Sequence, residues 1–400
     1  MRPFLDLLKR ELRLITTDHT LLLTLLIAPV LYAFFYGSIY INKAESEVKI
    51  AVVDADGSAL SRMISEQLNA TSLADVVPVA DLQEAQQKMY GGDVQGYCYI
   101  ENGLEQKVLA LQQANVVLAL NASRFLPSSD LTATVTKICL TLGAGVRLNY
   151  FKRKGNTNDI ALEEANPVRL NEKPLYNESG SYGGFLLPGL LALILQQTLL
   201  IGLAESMSSE REQKRLSQML CTGRGSLSAI LWGKGLWYFL LFGCYAFFFM
   251  TVNFQVLHLP FRGSALDIGM LLALFLVTLI PLGLTIGSLF KSQILSMQVM
   301  AFSTYPIFLI TGYSMPYQSL PKLVQWISAL LPTTPFLKAY TSIVQTGGNL
   351  HDNRGAVVHL LLLWLLFCGL FLWRFRRLEK KERIKNLAMR SGLRPGESYR

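Results

Sequence analysis

The sequence predicts an α-helical polytopic membrane protein with six transmembrane helices and an α/β extracytoplasmic domain inserted between helices 1 and 2. Three observations lead to this fold class: several long apolar stretches, few charged residues, and a polar block between the first two stretches. Charged residues make up 16% of the chain and apolar residues 51%. A soluble domain is about 25% charged, so this composition favours a chain that lies largely in lipid.

Each apolar stretch is long enough to cross a bilayer, which takes about 20 residues of helix. Strands of a barrel would alternate apolar and polar residues, and these stretches do not. The first stretch could also be a secretory signal, but it exceeds the typical apolar core of about 7–15 residues, so an uncleaved span is favoured. The six predicted spans cover residues 20–41, 183–204, 229–252, 265–290, 294–312 and 356–373.

The distribution of Lys and Arg predicts that both termini are cytoplasmic, because short inner loops and span flanks collect basic residues. With the N-terminus inside, the inner segments hold most of these residues, including a basic tail at 374–400. The net charge of +9 then belongs to the cytoplasmic rim, where it suits contact with anionic membrane lipids. No nucleic-acid partner is expected. The short outer loops hold only Arg262, Lys322, Lys338 and Arg354.

Residues 1–19 are predicted to form an amphipathic helix at the inner membrane surface, since Phe4, Leu8, Leu12 and Ile15 recur at helical spacing. An ordinary cytoplasmic helix is the alternative. Pro29 interrupts the first span and is expected to kink it.

Residues 42–182 are predicted to form the extracytoplasmic α/β domain. Strand-like runs, beginning with residues 48–54, alternate with helical segments, and one long helix covers 128–154. The block contains no His, and no metal-ligand cluster or nucleophile–base pair stands out. A docking or gating module is therefore favoured over an enzyme. Cys98 and Cys139 could pair in an oxidising compartment or remain free thiols, and the sequence leaves this open.

The predicted cytoplasmic loop 205–228 carries acidic residues ahead of basic ones, a pattern that suits a short helix. Leu216, Met219 and Leu220 would form an apolar stripe on it. Such a stripe fits a groove on a partner protein, although a solvated connector remains the alternative. A second short helix, at 320–331, is too short to span and is predicted to lie at the outer membrane surface. This short helix, 320–331, is part of the predicted membrane region at residues 183–373.

The chain lacks an energy source of its own. No phosphate-binding loop of the form G-x-x-x-x-G-K-[ST] occurs. Lys234 and Asp267 fall near span ends, and the other polar groups inside the spans, such as Gln196, Gln197 and Gln298, do not titrate. A proton-coupled pump would need ionisable groups at bilayer depth. Energy for uphill transport is therefore expected to come from another subunit.

The whole chain resembles the permease subunits of ABC-2-type exporters, in the branch with a large periplasmic domain between the first two spans. The matching pieces are short, and their order is more specific than any one of them. They are Lys9-Arg10-Glu11-Leu12, Pro29, Ile50-Ala51-Val52-Val53-Asp54, Glu210-Arg211-Glu212, Gly233-Lys234, and Pro316, Leu320-Pro321 and Leu331-Pro332-Thr333-Thr334-Pro335-Phe336.

The resemblance implies a role for several residues. The loop 205–228 would dock on a separate ABC ATP-binding subunit, through Glu210, Arg211, Glu212, Lys214, Arg215 and Leu216. Residues 1–19 would be the connecting helix of the family, with Lys9, Arg10 and Glu11. Substrate would pass between two permease copies or paralogues, near Gln196, Gln197 and Gln298.

The predicted function is therefore that of the permease subunit of an ATP-driven exporter in the bacterial inner membrane, which forms the substrate pathway as a dimer. No catalytic residue, metal or cofactor is assigned to this chain; ATP and Mg²⁺ would bind the partner subunit. A periplasmic adaptor is a further expected partner. The alternative function is a membrane-anchored sensor or scaffold whose external domain binds a ligand or partner.

Overall fold

The computed structural model describes residues 2–39, 46–168, 173, 175–176, 182–256, 258–259 and 261–390. The chain divides into two compact units. The first unit consists of Met1–Lys43 and Pro174–Arg400, and the second of Ala44–Lys173. The predicted end of the first span, part of the segment before residue 182, and residues 391–400 of the basic tail lie outside the described residues.

The first unit begins with three helices, α1 (Arg2–Thr17), α2 (His19–Leu26) and α3 (Ala28–Ile39). Asp18 separates α1 from α2 and caps α2, because its carboxylate accepts the N–H groups of Thr20 and Leu21 at 3.1 and 3.2 Å. The apolar stretch is interrupted at Ile27, close to Pro29, whose ring lacks an N–H group. The structure thus divides the stretch into α2 and α3 two residues before Pro29, where a kink was expected.

The second unit is built on a four-stranded sheet of order β2-β1-β3-β4. Strand β1 is parallel to β2 and β3, and β4 is antiparallel to β3. The elements are β1 (Val48–Asp54), α4 (Ala59–Asn69), β2 (Ala74–Pro78), α5 (Leu82–Gly91), β3 (Gly96–Ile100), α6 (Leu104–Leu109), β4 (Val116–Leu120), α7 (Phe125–Arg153) and α8 (Asn158–Ala165).

Alternate residues of β1 are buried on opposite faces of this sheet. Ile50 and Val52 lie in a core with Leu131 of α7, whereas Ala51 and Val53 lie in a second cluster on the other face. The turn after β1 is held by Asp56, which accepts the N–H groups of residues 103 and 105 at the start of α6, at 2.7 and 3.1 Å. Its side-chain hydrogen bond with Ser58 and these backbone donors lower the pKa of Asp56.

The first unit resumes with a set of longer helices. They are α9 (Tyr182–Glu212), α10 (Leu216–Thr222), α11 (Leu227–Phe248), a π-helical segment (Phe249–Asn253), α12 (Phe254–Val256), α13 (Ala265–Gly287), α14 (Gln293–Ile310), α15 (Lys322–Ala329), α16 (Thr333–Val344) and α17 (Arg354–Arg390).

Helix α9 lies at the centre of the first unit. Leu187, Leu199 and Leu203 are fully buried, and α2, α3, α11, α13, α14 and α16 pack around the helix. Small residues bring α13 close to it: a Cβ at Gly287 would lie 2.6 Å from the Ala204 Cα. Close approach of this kind is typical of helices packed in a membrane.

Seven helical segments of the described chain are long and apolar enough to cross a membrane, judged by length and composition. Six of them correspond to the predicted spans. The seventh is Phe125–Arg153, which the sequence analysis assigned to the polar block. Within the second unit, Leu131 and Val135 of this helix pack against the sheet.

Several boundaries differ from the sequence-based expectation. Helix α9 continues eight residues beyond the predicted end at residue 204, so the first part of the predicted loop 205–228 is helical. Helix α8, and α16 after the predicted surface helix 320–331, were not predicted from the sequence. Helix α7 is continuous through Gly143 and Gly145.

Candidate functional site

Four charged side chains from three helices meet at one end of the bundle, and we refer to them as the charge network. They are Arg10 and Glu11 of α1, Glu210 of α9 and Lys234 of α11. The Lys234 ammonium group donates to Glu11 Oε2 and lies 3.7 Å from Glu210 Oε1. The other oxygen of Glu210 accepts from Arg10 Nη2 at 2.6 Å. Positive and negative groups therefore alternate.

The inner members of the charge network are shielded from solvent. Glu11, Glu210 and Lys234 are each 1% exposed. Glu11 Oε1 also accepts from the hydroxyl groups of Ser206 on α9 and Tyr238 on α11, at 2.5 and 3.0 Å. A buried ion is stable only when its charge and its remaining hydrogen-bonding capacity are both satisfied. Two acids balance two bases here, so the network ties α1, α9 and α11 together.

Glycine residues on both sides of Lys234 allow the helices to approach. A Cβ at Gly233 would lie 2.7 Å from the Leu7 Cβ of α1, and a Cβ at Gly235 would lie 2.5 Å from the Ile280 Cγ2 of α13. The indole of Trp237 donates to the Leu8 carbonyl at 2.9 Å and adds a further link between α11 and α1.

Two arginines hold the C-terminal end of α13. Arg211 of α9 donates to the carbonyls of Ser288 and Phe290, the latter at 2.8 Å. Arg374 of α17 donates to the same Ser288 carbonyl at 2.9 Å and to its hydroxyl at 3.1 Å. Cations are favourable at a helix C-terminus because its last carbonyls lack helical partners. This contact joins α9, α13 and α17 at the same end of α9 as the charge network.

The start of α14 is held by acidic side chains. Gln293 Nε2 donates to Asp18 Oδ2 at 2.9 Å and to Glu205 Oε1 at 3.0 Å. The backbone N–H of Gln293 donates to Glu212 Oε2 at 2.7 Å. Carboxylates at a helix N-terminus satisfy unpaired N–H groups and suit the helix dipole.

The predicted ATPase-coupling residues fall into two groups. Glu210 and Leu216 are buried within this chain, and Arg211 is half-buried against α13. Glu212, Lys214 and Arg215 are exposed. The predicted apolar stripe of Leu216, Met219 and Leu220 packs inward rather than toward a partner. A sequence pattern could not separate these groups, since the partners of the buried residues lie up to about 200 positions away.

The exposed members form the turn between α9 and α10, which we call the α9–α10 corner (residues 212–215). The N–H of Arg215 donates to the Glu210 carbonyl and that of Lys214 to the Arg211 carbonyl, at 2.8 and 3.2 Å. This is the Schellman pattern, with Lys214 at φ 57° where glycine is usual. The corner therefore projects from the end of α9, immediately beside the charge network.

The predicted connecting-helix residues differ in their surroundings. Lys9 is exposed, Arg10 is half-buried and Glu11 is buried. The buried face of α1 carries Leu7, Glu11 and Leu14, one turn apart. Leu12, which was expected on the apolar face, is 40% exposed.

The three glutamines predicted near the substrate pathway do not meet. Gln196 accepts from the Thr333 hydroxyl at 2.5 Å, and Gln197 donates to the Met300 carbonyl, so both lie inside the bundle. Gln298 is exposed on the outward face of α14.

The roles of four residues were not predicted from the sequence: Lys234, Ser206, Tyr238 and Glu205. The available signal for Lys234 was a charged residue inside an apolar stretch, since such residues are costly in lipid and need a partner. Glu205 was hidden because it follows the predicted end of the second span.

The architecture defines a multi-pass membrane protein whose helices are tied together by buried charges at one end. The family described as ABC-2 family transporter protein matches residues 19–375. The chain belongs to this family.

Three curated relatives from Escherichia coli strain K12 are similar to the chain. The probable multidrug ABC transporter permease YbhS is 20% identical over 340 residues, covering 84% of this chain and 87% of the relative. The inner membrane transport permease YhhJ is 23% identical over 388 residues, covering 94% and 98%. The probable multidrug ABC transporter permease YbhR is 24% identical over 202 residues, covering 49% and 55%.

Proposed function

We propose that the chain is the permease subunit of an ATP-driven ABC-2-type exporter in the bacterial inner membrane. The observation that carries this proposal is the family match over residues 19–375, which includes the membrane helices as well as the second unit. A permease of this kind works with a separate ABC ATP-binding subunit, which binds ATP and Mg²⁺. The relatives are named as permeases as well.

The spans in this proposal are α2 with α3, α9, α11, α13, α14 and α17, so that α7 remains with the second unit. Packing of Leu131 and Val135 against the sheet supports this choice. An even number of spans also leaves both basic termini on one side, as the distribution of Lys and Arg favours. The second unit is then extracytoplasmic and is the natural contact for a periplasmic adaptor.

The α9–α10 corner is the proposed docking site for the ATP-binding subunit. Glu212, Gln213, Lys214 and Arg215 expose polar side chains there, and an exposed charged surface suits a partner that binds reversibly. Glu210 and Arg211 would not contact the ATP-binding subunit directly, since their partners belong to this chain. They would connect the docking site to the other helices.

Movement of the corner would reach the other spans through contacts already described. Glu210 and Lys234 connect α9 to α1 and α11, and Arg211 connects α9 to α13. Because such polar contacts have discrete arrangements rather than a continuum, they suit a two-state element that the ATP-binding subunit biases.

The pathway would lie between two permease copies or paralogues, with α14 at the interface. Gln298 supports this assignment because it is exposed on a membrane helix, together with the large side chains of Phe302 and Tyr305. Polar side chains in spans rarely face lipid and usually contact other protein or a water-filled path.

Charge reversal at the corner tests the docking proposal. The double variant Lys214→Glu/Arg215→Glu should lose copurification of the ATP-binding subunit, while its thermal stability remains close to wild type, because both side chains are exposed. Arg376→Glu, on the exposed face of α17, is the matched control and should retain the partner. Copurification of the ATP-binding subunit at the wild-type level by the double variant would refute the docking site.

A further inference from the structure

A pocket of about 360 Å³ lies between the start of α2, the end of α9 and the start of α14. Three of its lining residues are acidic: Asp18, Glu205 and Glu212. Neither Lys nor Arg lines it. We call this feature the acidic pocket. It shares Asp18, Glu205, Glu212 and Gln293 with the contacts that hold α14, whereas no residue of the charge network lines it.

Glu205 distinguishes this pocket from an ordinary acidic surface. Its side chain is 0% exposed. One oxygen accepts from Gln293, whereas the other, Oε2, is buried and has no hydrogen-bond partner among the described residues. No ion pair to Glu205 is found in the described part of the chain. A buried carboxylate in this state carries a large desolvation cost that a bound cation would offset.

The contrast with the other buried acids of the same helix end is informative. Glu11 and Glu210 each have a basic partner within 4 Å. The donors beside Glu205 are neutral: the amide of Gln293, which also bridges to the nearby carboxylate of Asp18, and the hydroxyl of Thr24. Two carboxylates that share one amide favour an additional positive charge between them.

The form of the pocket favours an organic cation over a metal ion. Among the described residues, no three His, Cys, Asp or Glu side chains are grouped so that they could hold a metal. The volume is several times that of a single ion, and Ile294 and Met297 provide an apolar wall. Methionine is flexible and adapts to ligands of different shape.

We propose that the acidic pocket binds an organic ammonium cation with an apolar body, which donates a hydrogen bond to Glu205 Oε2 and packs against Ile294 and Met297. The position of the pocket as an access site for exported cargo rests on the proposed function, which puts these helix ends at the headgroup level of the inner leaflet. An ammonium amphiphile would then approach with its charge among the headgroups and its tail in lipid.

Binding of radiolabelled decylammonium to the purified permease in nanodiscs, without any ATP-binding subunit, tests the pocket. The two charge variants keep the local structure. Glu205→Gln preserves the shape of the side chain, and Asp18→Asn preserves the cap of α2, since Asn and Asp cap helices about equally. Each should weaken binding by about tenfold or more, which corresponds to about 1.4 kcal/mol.

Two further variants separate the pocket from surface charge and from misfolding. Asp6→Asn removes one negative charge from an exposed site of α1 and should leave binding unchanged. Ile294→Trp narrows the pocket at an exposed position without changing charge, and should weaken binding. Decanol, which has the tail without the charge, should not compete. Equal affinity of wild type, Glu205→Gln and Ile294→Trp would overturn the proposal.

The lipid composition of the nanodiscs distinguishes a free amphiphile from a lipid headgroup. If phosphatidylethanolamine occupies the pocket, replacing it by phosphatidylcholine at constant phosphatidylglycerol should strengthen decylammonium binding, and this effect should vanish in Glu205→Gln. An unchanged affinity assigns the pocket to free ammonium amphiphiles. Because no ATPase is present, failure of the wild-type permease to bind decylammonium disproves the pocket alone, whereas binding without ATP-driven export disproves the proposed function alone.

Discussion

Lys234 shows how one residue can hold three helices. Its ammonium group lies between Glu11 and Glu210, so removal of Lys234 leaves Glu11 buried without its counter-charge and Glu210 with Arg10 alone. The cost of such a loss is usually larger than the net gain from forming the pair, because the remaining ions stay desolvated. The charge network therefore fixes how the three helices are arranged, while its net contribution to the free energy of unfolding is small.

Replacement of Lys234 should be strongly destabilising and should couple to Glu11. We expect Lys234→Met to lower the free energy of unfolding by about 3–5 kcal/mol, measured as a lower thermal midpoint in detergent micelles. The double variant Glu11→Gln/Lys234→Met should lose less than the sum of the two single variants, because Glu210 keeps Arg10 as its partner.

The control for this cycle is Lys338→Met, at an exposed position, which should change stability by less than about 0.5 kcal/mol. Strict additivity of the Glu11 and Lys234 substitutions would mean that the two side chains do not interact in the folded protein.

At the scale of elements, the contact between α1 and α11 depends on the absence of a side chain at Gly233. The Leu7 Cβ would be 2.7 Å from an added Cβ, and a Cβ cannot move without its backbone. Packing of α1 along α11 also brings Glu11 to Lys234. A displaced α1 would therefore strain the charge network as well.

Gly233 and Gly243 lie on the same helix and offer a matched comparison. Both glycine-to-alanine changes remove an intrinsic helix penalty of about 1 kcal/mol. A Cβ at Gly243 meets nothing within 4 Å, so Gly243→Ala should be neutral or stabilising in thermal melts. Gly233→Ala should be destabilising because α1 must move. Equal effects of the two substitutions would contradict the close contact of α1 and α11.

Sequence patterns predicted the helices and strands more accurately than the contacts of the candidate functional site. Strand β1 was predicted with the bounds that the structure gives, because a β-branched run followed by a turn signal is a local property. The long spans were found for the same reason. Residues 205–212 were assigned to a loop because they are polar, yet they continue α9, since their partners lie on α1, α11, α13 and α14. Local patterns carry no information on such distant pairing.

At the scale of the whole molecule, the proposed function assigns the substrate pathway to this chain and ATP hydrolysis to a separate ATP-binding subunit. The described contacts tie the helices of the first unit together at one end, with an exposed corner at Glu212–Arg215 and buried links to the long apolar helices. Such an arrangement suits a subunit that receives work from a partner rather than generating it. In this proposal the second unit, with its sheet, takes no part in the transfer of energy from the ATP-binding subunit.

Reconstitution of transport tests this central claim most directly. Inside-out vesicles would contain the permease alone, the ATP-binding subunit alone, or both, with a labelled ammonium amphiphile and a labelled neutral amphiphile as cargo. The account predicts accumulation of cargo only when both subunits and ATP with Mg²⁺ are present. Accumulation by the permease alone, or ATP hydrolysis by the complete pair with no cargo moved, would contradict it.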